Sequence, residues 1–203
     1  MFKKSWILVL TIFLWLAGPS WANAVLKRPM QTLEEPINRI IEVLNDPAYR
    51  HPDKKALQRD KIWEIARPIF DFDEISRRAI GKSWNKFTPD ERKRFTTIFS
   101  EFLGNTYIDK LQGEYHNEKI DFEKELVKGD KALVRTRLRR ETAEIPIDYR
   151  MQQVEGVWKV YDILVENGVS IVKNYYVQFN SILREGTPAQ LIERLEKKLD
   201  SPN

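Results

Sequence analysis

The residues in this sequence that could do acid–base chemistry are a few carboxylates and two histidines. In the run FDFD at positions 70–73, Asp71 and Asp73 stand two apart and could hold a cation between them. At the start of a helix the same side chains would instead cap free backbone N–H groups. Asp162 lies in the most apolar segment of the chain, VWKVYDILV, where an ionised carboxylate is costly unless paired. It reads as a catalytic base or as a structural hydrogen-bond acceptor. His51 stands beside Pro52 and His116 at the start of an expected strand, and neither has a visible partner, so both read as surface residues. With no cysteine in 203 residues there is no thiolate nucleophile, zinc–thiolate site or disulfide. The GxSxG, HExxH, GxGxxG and phosphate-loop patterns are absent. An enzyme is not expected, nor a metal or a cofactor.

The concentrated positive charge is RTRLRR, residues 135–140. Strand alternation puts Arg135, Arg137 and Arg139 on one face, and Arg150 on a neighbouring strand can join them. Three readings are open: a solvated face, a surface for anionic phospholipid headgroups, or a nucleic-acid surface. Lys and Arg exceed Asp and Glu by only 34 to 30, which argues against nucleic acid as a partner.

The elements that position these residues follow from period and capping. Thr32 with Glu35 fits a capping box ahead of Ile37, Ile40, Ile41 and Leu44, and Asp46-Pro47 stops that helix. A second helix is expected over about 53–69, and a short one follows FDFD and ends at Gly81. Thr88, Pro89 and Glu91 open a longer helix, reaching about Leu111, whose aromatic face carries Phe95, Phe99, Phe102 and Tyr107. The period then changes. Strands are expected near 120–127, over 132–139, over 145–152 and over 157–165, turning at Gly129-Asp130 and Glu155-Gly156. Helices over 169–185 and from Thr187-Pro188 onward complete a single α+β domain: N-terminal helices, an antiparallel sheet of about four strands, then C-terminal helices.

Ahead of that domain, Lys3 and Lys4 precede a 12-residue apolar run, 6–17, and Gly18-Pro19 lead to Ala22-Asn23-Ala24. This is the pattern of a secretory signal cleaved after Ala24, and the run falls short of the roughly 20 residues that span a bilayer. The expectation is a signal peptide over 1–24 and a single exported domain over 25–203, monomeric, with a net charge of +2 once the two lysines leave.

Large apolar side chains are plentiful for such a domain. They read as a well-filled core or as a core plus a cleft for an apolar ligand. Residues 70–107, with FDF, Gly81, Trp84 and the TP-capped aromatic helix, and residues 158–195, with YDI, GVS and NYxxQF, resemble the two signature regions of the MlaC-like family. Where that family often has Arg, this chain has Tyr176. The resemblance implies a periplasmic phospholipid carrier of the Mla lipid-asymmetry pathway, also described as a toluene-tolerance auxiliary transport component. Its partners would be phospholipid, an outer-membrane lipoprotein–porin complex, an inner-membrane ABC transporter with an MCE-domain ring and, transiently, a membrane surface.

The acyl tails would enter an apolar pocket between sheet and helices. The candidate lining is Val134, Leu138, Ile147, Tyr149, Met151, Tyr161 and Ile163 from the strands, with Phe99, Phe102, Tyr107, Tyr175 and Phe179 from the helices, and Arg135, Arg137, Arg139 and Arg150 would meet headgroup or membrane. Exposing the methylenes of two tails would cost roughly 20 kcal/mol, so such a carrier must hide nearly all of them. Two other classes stay open: a binding module or chaperone for proteins, marked by an exposed apolar patch, and an enzyme on a cone-shaped α+β scaffold with Asp162 facing a cleft.

Overall fold

The structure is a computed structural model, and it describes residues 27–166 and 168–200. The expected leader lies outside the described residues. Among those residues no helix is long and apolar enough to cross a membrane.

Among the described residues, six α-helices accompany one five-stranded sheet. Helix α1 (Pro29–Asn45) begins three residues before the expected Thr32 cap. Pro29 takes the first helical position, where its missing N–H costs nothing, and the Gln31 side chain accepts from the Arg28 N–H at 3.2 Å. Thr32 therefore lies inside the helix, its hydroxyl bonded back to the Arg28 carbonyl at 3.1 Å. The start of α1 is also held from the sheet: Glu125 accepts from the Met30 N–H at 3.0 Å and from Arg28 Nε at 2.6 Å. Helix α2 (Lys55–Ala66) is flanked by single 3-10 turns. Helix α3 (Phe72–Ile80) is capped by Asp71, which accepts from the Glu74 N–H at 3.0 Å, so the FDFD carboxylate caps a helix. Helix α4 (Pro89–Glu114) carries the Thr88–Glu91 capping box and runs three residues past its expected end.

Strands β1 (Lys119–Lys128), β2 (Lys131–Arg139), β3 (Glu144–Val154) and β4 (Val157–Val165) form an antiparallel meander, with the turn at Glu155-Gly156 in the left-handed region at both residues. A fifth strand that the sequence hides, β5 (Val169–Ser170), is two residues long and pairs with the end of β4. Further along, the same edge of β4 takes a bridge from Phe70, with the Asp71 N–H donating to the Val160 carbonyl at 2.9 Å. Helices α5 (Ile171–Glu185) and α6 (Pro188–Asp200) close the chain, α6 behind a Thr187–Gln190 capping box.

Apolar side chains gather in two clusters. One is helical, built on Phe95, Phe99 and Phe179 from α4 and α5 with Leu191 and Ile192 from α6. The other joins Leu33 of α1 and Ile69 to the inner face of the sheet at Ala132, Val134, Met151 and Val160. Helix α4, about 39 Å long at 1.5 Å per residue, belongs to the helical cluster with its first half only.

Candidate functional site

Between the two clusters lies a cavity of about 390 Å³, within the range of small-molecule sites. Its floor is the inner face of the sheet at Leu138, Ile147, Tyr149 and Ile163. The second half of α4 supplies one wall through Leu103, Gly104, Tyr107, Ile108 and Leu111. The lining is completed by α1, with Leu33, Ile37, Ile40, Ile41 and Leu44, and by α2, packed beside α4, with Ile62, Trp63 and Ala66. Polar residues gather where α4 ends and β1 begins: Lys110, Glu114, Tyr115 and Glu118, with Arg140 beyond β2. That is the mouth. Leu33, only 1% exposed, marks the closed end. Leu33 and Leu44 are eleven residues apart on α1, so the cavity runs roughly 16 Å, close to the half-thickness of a ~30 Å hydrocarbon core.

The sequence-derived lining divides. Leu138, Ile147, Tyr149, Ile163 and Tyr107 face the cavity. Val134 and Met151 have the right sheet face but lie beyond its closed end, sealed at zero exposure. Phe99 and Phe179 are buried in the helical cluster, with Phe102 and Tyr175 packed against it. Tyr161 is the extra residue of a bulge in β4, opposite the Arg150–Met151 step, and its ring packs under the Arg78 guanidinium at 4.3 Å, off the cavity wall. What sequence reasoning missed is the contribution of α1 and α2. The signal is present in the Ile37, Ile40, Ile41, Leu44 spacing, which gives a helix an apolar face without saying what that face meets.

The wall is dry chemistry with two polar exceptions. Tyr149 is half-buried on the cavity floor; burial pushes its phenol up to about 12, with the Thr136 hydroxyl beside it pulling the other way. Burial likewise raises Tyr107 and Tyr175, whose hydroxyls lie together at the border between the cavity and the helical cluster. Asp162 is the second exception. Its carboxylate accepts from Arg150 Nη1 at 3.1 Å, from the Ser170 hydroxyl at 2.8 and 3.0 Å and from the Val172 N–H at 3.2 Å. Those bonds fill its acceptor positions and pin the start of α5 to β4, the structural role expected of a buried carboxylate.

The strand arginines are not a free basic surface. Arg135 pairs with Asp148 at 3.6 Å, Arg137 with Glu123 at 2.5 Å and Glu144 at 3.5 Å, and Arg139 with Asp121 and Glu144. Arg150 is held by Asp162. Hydrogen bonds donated to Glu123 and Asp121 hold the Arg137 and Arg139 guanidiniums above their ordinary pKa. Alternation predicted the face correctly, but the acids of β1 and β3 neutralise it. The arginine that does reach the mouth is Arg140, paired with Glu118 at 3.1 Å and Glu114 at 3.7 Å.

Among the described residues no group of His, Cys, Asp and Glu is placed to hold a metal ion. His51 pairs with Asp53 on the surface, and His116 sits in the bend before β1, not at its first residue.

Residues 34–197 match the family model described as MlaC protein. The chain belongs to the MlaC family. Among curated relatives of this MlaC-family protein, toluene tolerance protein ttg2D of Pseudomonas putida is 29% identical over 123 residues, covering 59% of this chain and 56% of that one. The match thus spans little more than half of the relative's length. Among solved structures, a phospholipid-binding protein from Ralstonia solanacearum, in complex with a phospholipid, shares the fold with a TM-score of 0.72. It is 21% identical, over 86% of this chain and 98% of its own.

Proposed function

We propose that this MlaC-family protein is a phospholipid carrier, which takes acyl tails into the cavity and leaves the headgroup at the Lys110–Glu114–Arg140 rim. The observation that carries the reading is a cavity as deep as one bilayer leaflet, apolar along its length and polar at one end. A water-filled apolar cavity of this size would be costly to maintain, whereas methylenes contribute about 0.8 kcal/mol each when they leave water. The phospholipid held by the Ralstonia solanacearum neighbour supports the same reading. The saturated carboxylate of Asp162 favours burial and release over covalent chemistry, with no cofactor required.

In the fuller proposal, the leader directs export and is cleaved after Ala24, and the domain works as a monomer in the periplasm. There it passes lipid between an outer-membrane lipoprotein–porin complex and an inner-membrane ABC transporter with an MCE-domain ring, in maintenance of outer-membrane asymmetry. The experiment is solvent extraction and mass spectrometry of protein purified from the exported fraction. Phospholipid at a stoichiometric level is expected. Lipid-free protein that also takes none from liposomes would overturn the reading.

A further inference from the structure

With the strand arginines neutralised, the chain's positive charge lies elsewhere. Lys3 and Lys4 supply half of the +4, leaving +2 for residues 27–203. Lys82, Lys86, Lys173 and Arg184 alone carry +4, so the remainder of that stretch is net acidic. All four are exposed, and among the described residues none forms an ion pair. Residues 75–89 and 167–184, which contain them, hold no Asp or Glu.

Two of these cations, Lys86 and Arg184, line a groove between α5 and the 3-10 turn Gly81–Lys86 that follows α3. Ser83, Lys86, Tyr176, Val177, Asn180 and Arg184 line it. On α5, Lys173, Tyr176, Asn180 and Arg184 recur at three and four residues and form one stripe. The floor is fixed in advance. The Tyr176 ring lies on the Gly81 backbone so closely that a Cβ there would stand 2.4 Å from it, and Gly81 has φ +62°. Asn180 Nδ2 donates to the Ile80 carbonyl at 3.2 Å and to the Tyr176 carbonyl at 2.9 Å, and the Ser83 hydroxyl donates to Asn180 Oδ1 at 3.4 Å. The adjoining face of α5, at Val172 and Phe179, is buried, Leu183 lies at the base of the groove, and no groove residue lines the cavity, so this surface is separate from the cavity mouth.

We propose that this groove docks an acidic, extended protein segment, with an apolar side chain against Tyr176 and Val177 and carboxylates beside Lys86 and Arg184. Several features favour a peptide over an anionic bilayer. The groove is concave, and its aromatic floor is recessed, Tyr176 being 38% exposed against 59% for Val177 at the lip. A flat lipid surface reaches protruding groups, whereas a single chain can enter. A preorganised floor lowers the ordering cost of such docking, and unpaired cations speed and orient the encounter. A partner held here would leave the mouth free.

The probe is a fluorescein-labelled peptide of Glu-Glu-Leu repeats, titrated with the full mature protein and followed by anisotropy. Binding that weakens as salt rises is expected. The double substitution Lys86→Glu with Arg184→Glu should weaken it at least tenfold and Lys86→Gln with Arg184→Gln by less, with thermal melts unchanged. Lys54→Glu with Lys55→Glu, a charge-matched change on another surface, should leave it within twofold. Equal loss in both charge-reversal pairs, or no measurable binding, would overturn the proposal. So would flotation with phosphatidylglycerol vesicles that depends on Lys86 and Arg184 and that the peptide does not displace.

Discussion

Gln58 and Gln112 tie α2 to α4 beside the last turn of α1. Gln112 Nε2 donates to Gln58 Oε1 at 2.9 Å, and Gln58 Nε2 donates onward to the Val43 carbonyl at 3.0 Å. Val43 lies in the last turn of α1, where carbonyls lack intrahelical donors, so a side chain of α2 completes α1 while α4 orients it. Gln58 is only 8% exposed, so breaking this chain strands buried polar groups. Gln58→Leu should cost about 1–3 kcal/mol in urea unfolding. Amide hydrogen exchange should rise over residues 40–45 and stay unchanged over 95–100, in the helical cluster. Uniform loosening of both segments would show that the amide supports the whole fold and not the end of α1.

Cavity and core should separate under substitution. Ile147 faces the cavity, where a carboxylate would meet the tails of a bound lipid. Ile147→Glu should lower lipid occupancy at least about tenfold while the far-ultraviolet spectrum and cooperative melt survive, because the charge must otherwise be buried in apolar surroundings. Phe99 touches no cavity; its ring centroid is 5.0 Å from Phe179 and 5.1 Å from Tyr175. Phe99→Ala should destabilise by about 3–5 kcal/mol with occupancy of the folded fraction retained. Equal effects of the two on occupancy would contradict the division drawn between them.

That division explains what could be read from the sequence. Period and caps give the face of an element and its ends. Thr88, Asp71 and Thr187 cap as their sequences say, and Val134, Ile147 and Met151 alternate inward together. Whether an inward residue is core or cavity depends on what stands opposite, which changes along one element. Phe99 and Tyr107 share α4, yet the first packs on α5 and the second faces open space. β5 escaped notice because two residues carry no period. The arginine face misled because Arg137 is neutralised by Glu123 and Glu144, fourteen residues before it and seven after it, through a register that charge counting does not contain.

Alkaline titration should report Tyr149. Its folded pKa is raised to about 12 from an ordinary 10, chiefly by burial, so the fold favours the protonated phenol. The associated stability is complete below pH 10, where folded and unfolded states are both protonated, and is lost between pH 10 and 12 as the unfolded chain ionises first. Two units correspond to about 2–3 kcal/mol. Tyr149→Phe should cost about 1 kcal/mol near pH 8 through the lost Thr136 contact, and its urea midpoint should fall less steeply than wild type between pH 10 and 12. Some slope should remain, because Tyr175 is raised by burial as well. Parallel slopes in the two proteins would place the alkaline transition elsewhere.

Two glycines of α4 should respond in opposite directions to the same substitution. Alanine gains roughly 1 kcal/mol over glycine inside a helix. At Gly113 an added Cβ meets nothing within 4 Å, so Gly113→Ala should raise the melting temperature by a few degrees. At Gly104 the same atom would stand 2.8 Å from Cζ3 and 2.9 Å from Cε3 of Trp63, an indole packed at 5.6 Å from Phe72 and forming part of the cavity wall. The ring must move, and the empty side is the cavity. Gly104→Ala should therefore lose about 1–3 kcal/mol net and also hold less lipid at saturation with liposomes. A Gly104→Ala protein as stable and as loaded as wild type would mean that α2 and α4 part freely enough to absorb a methyl group, and that the close approach of Trp63 to the α4 backbone does not set the width of the cavity.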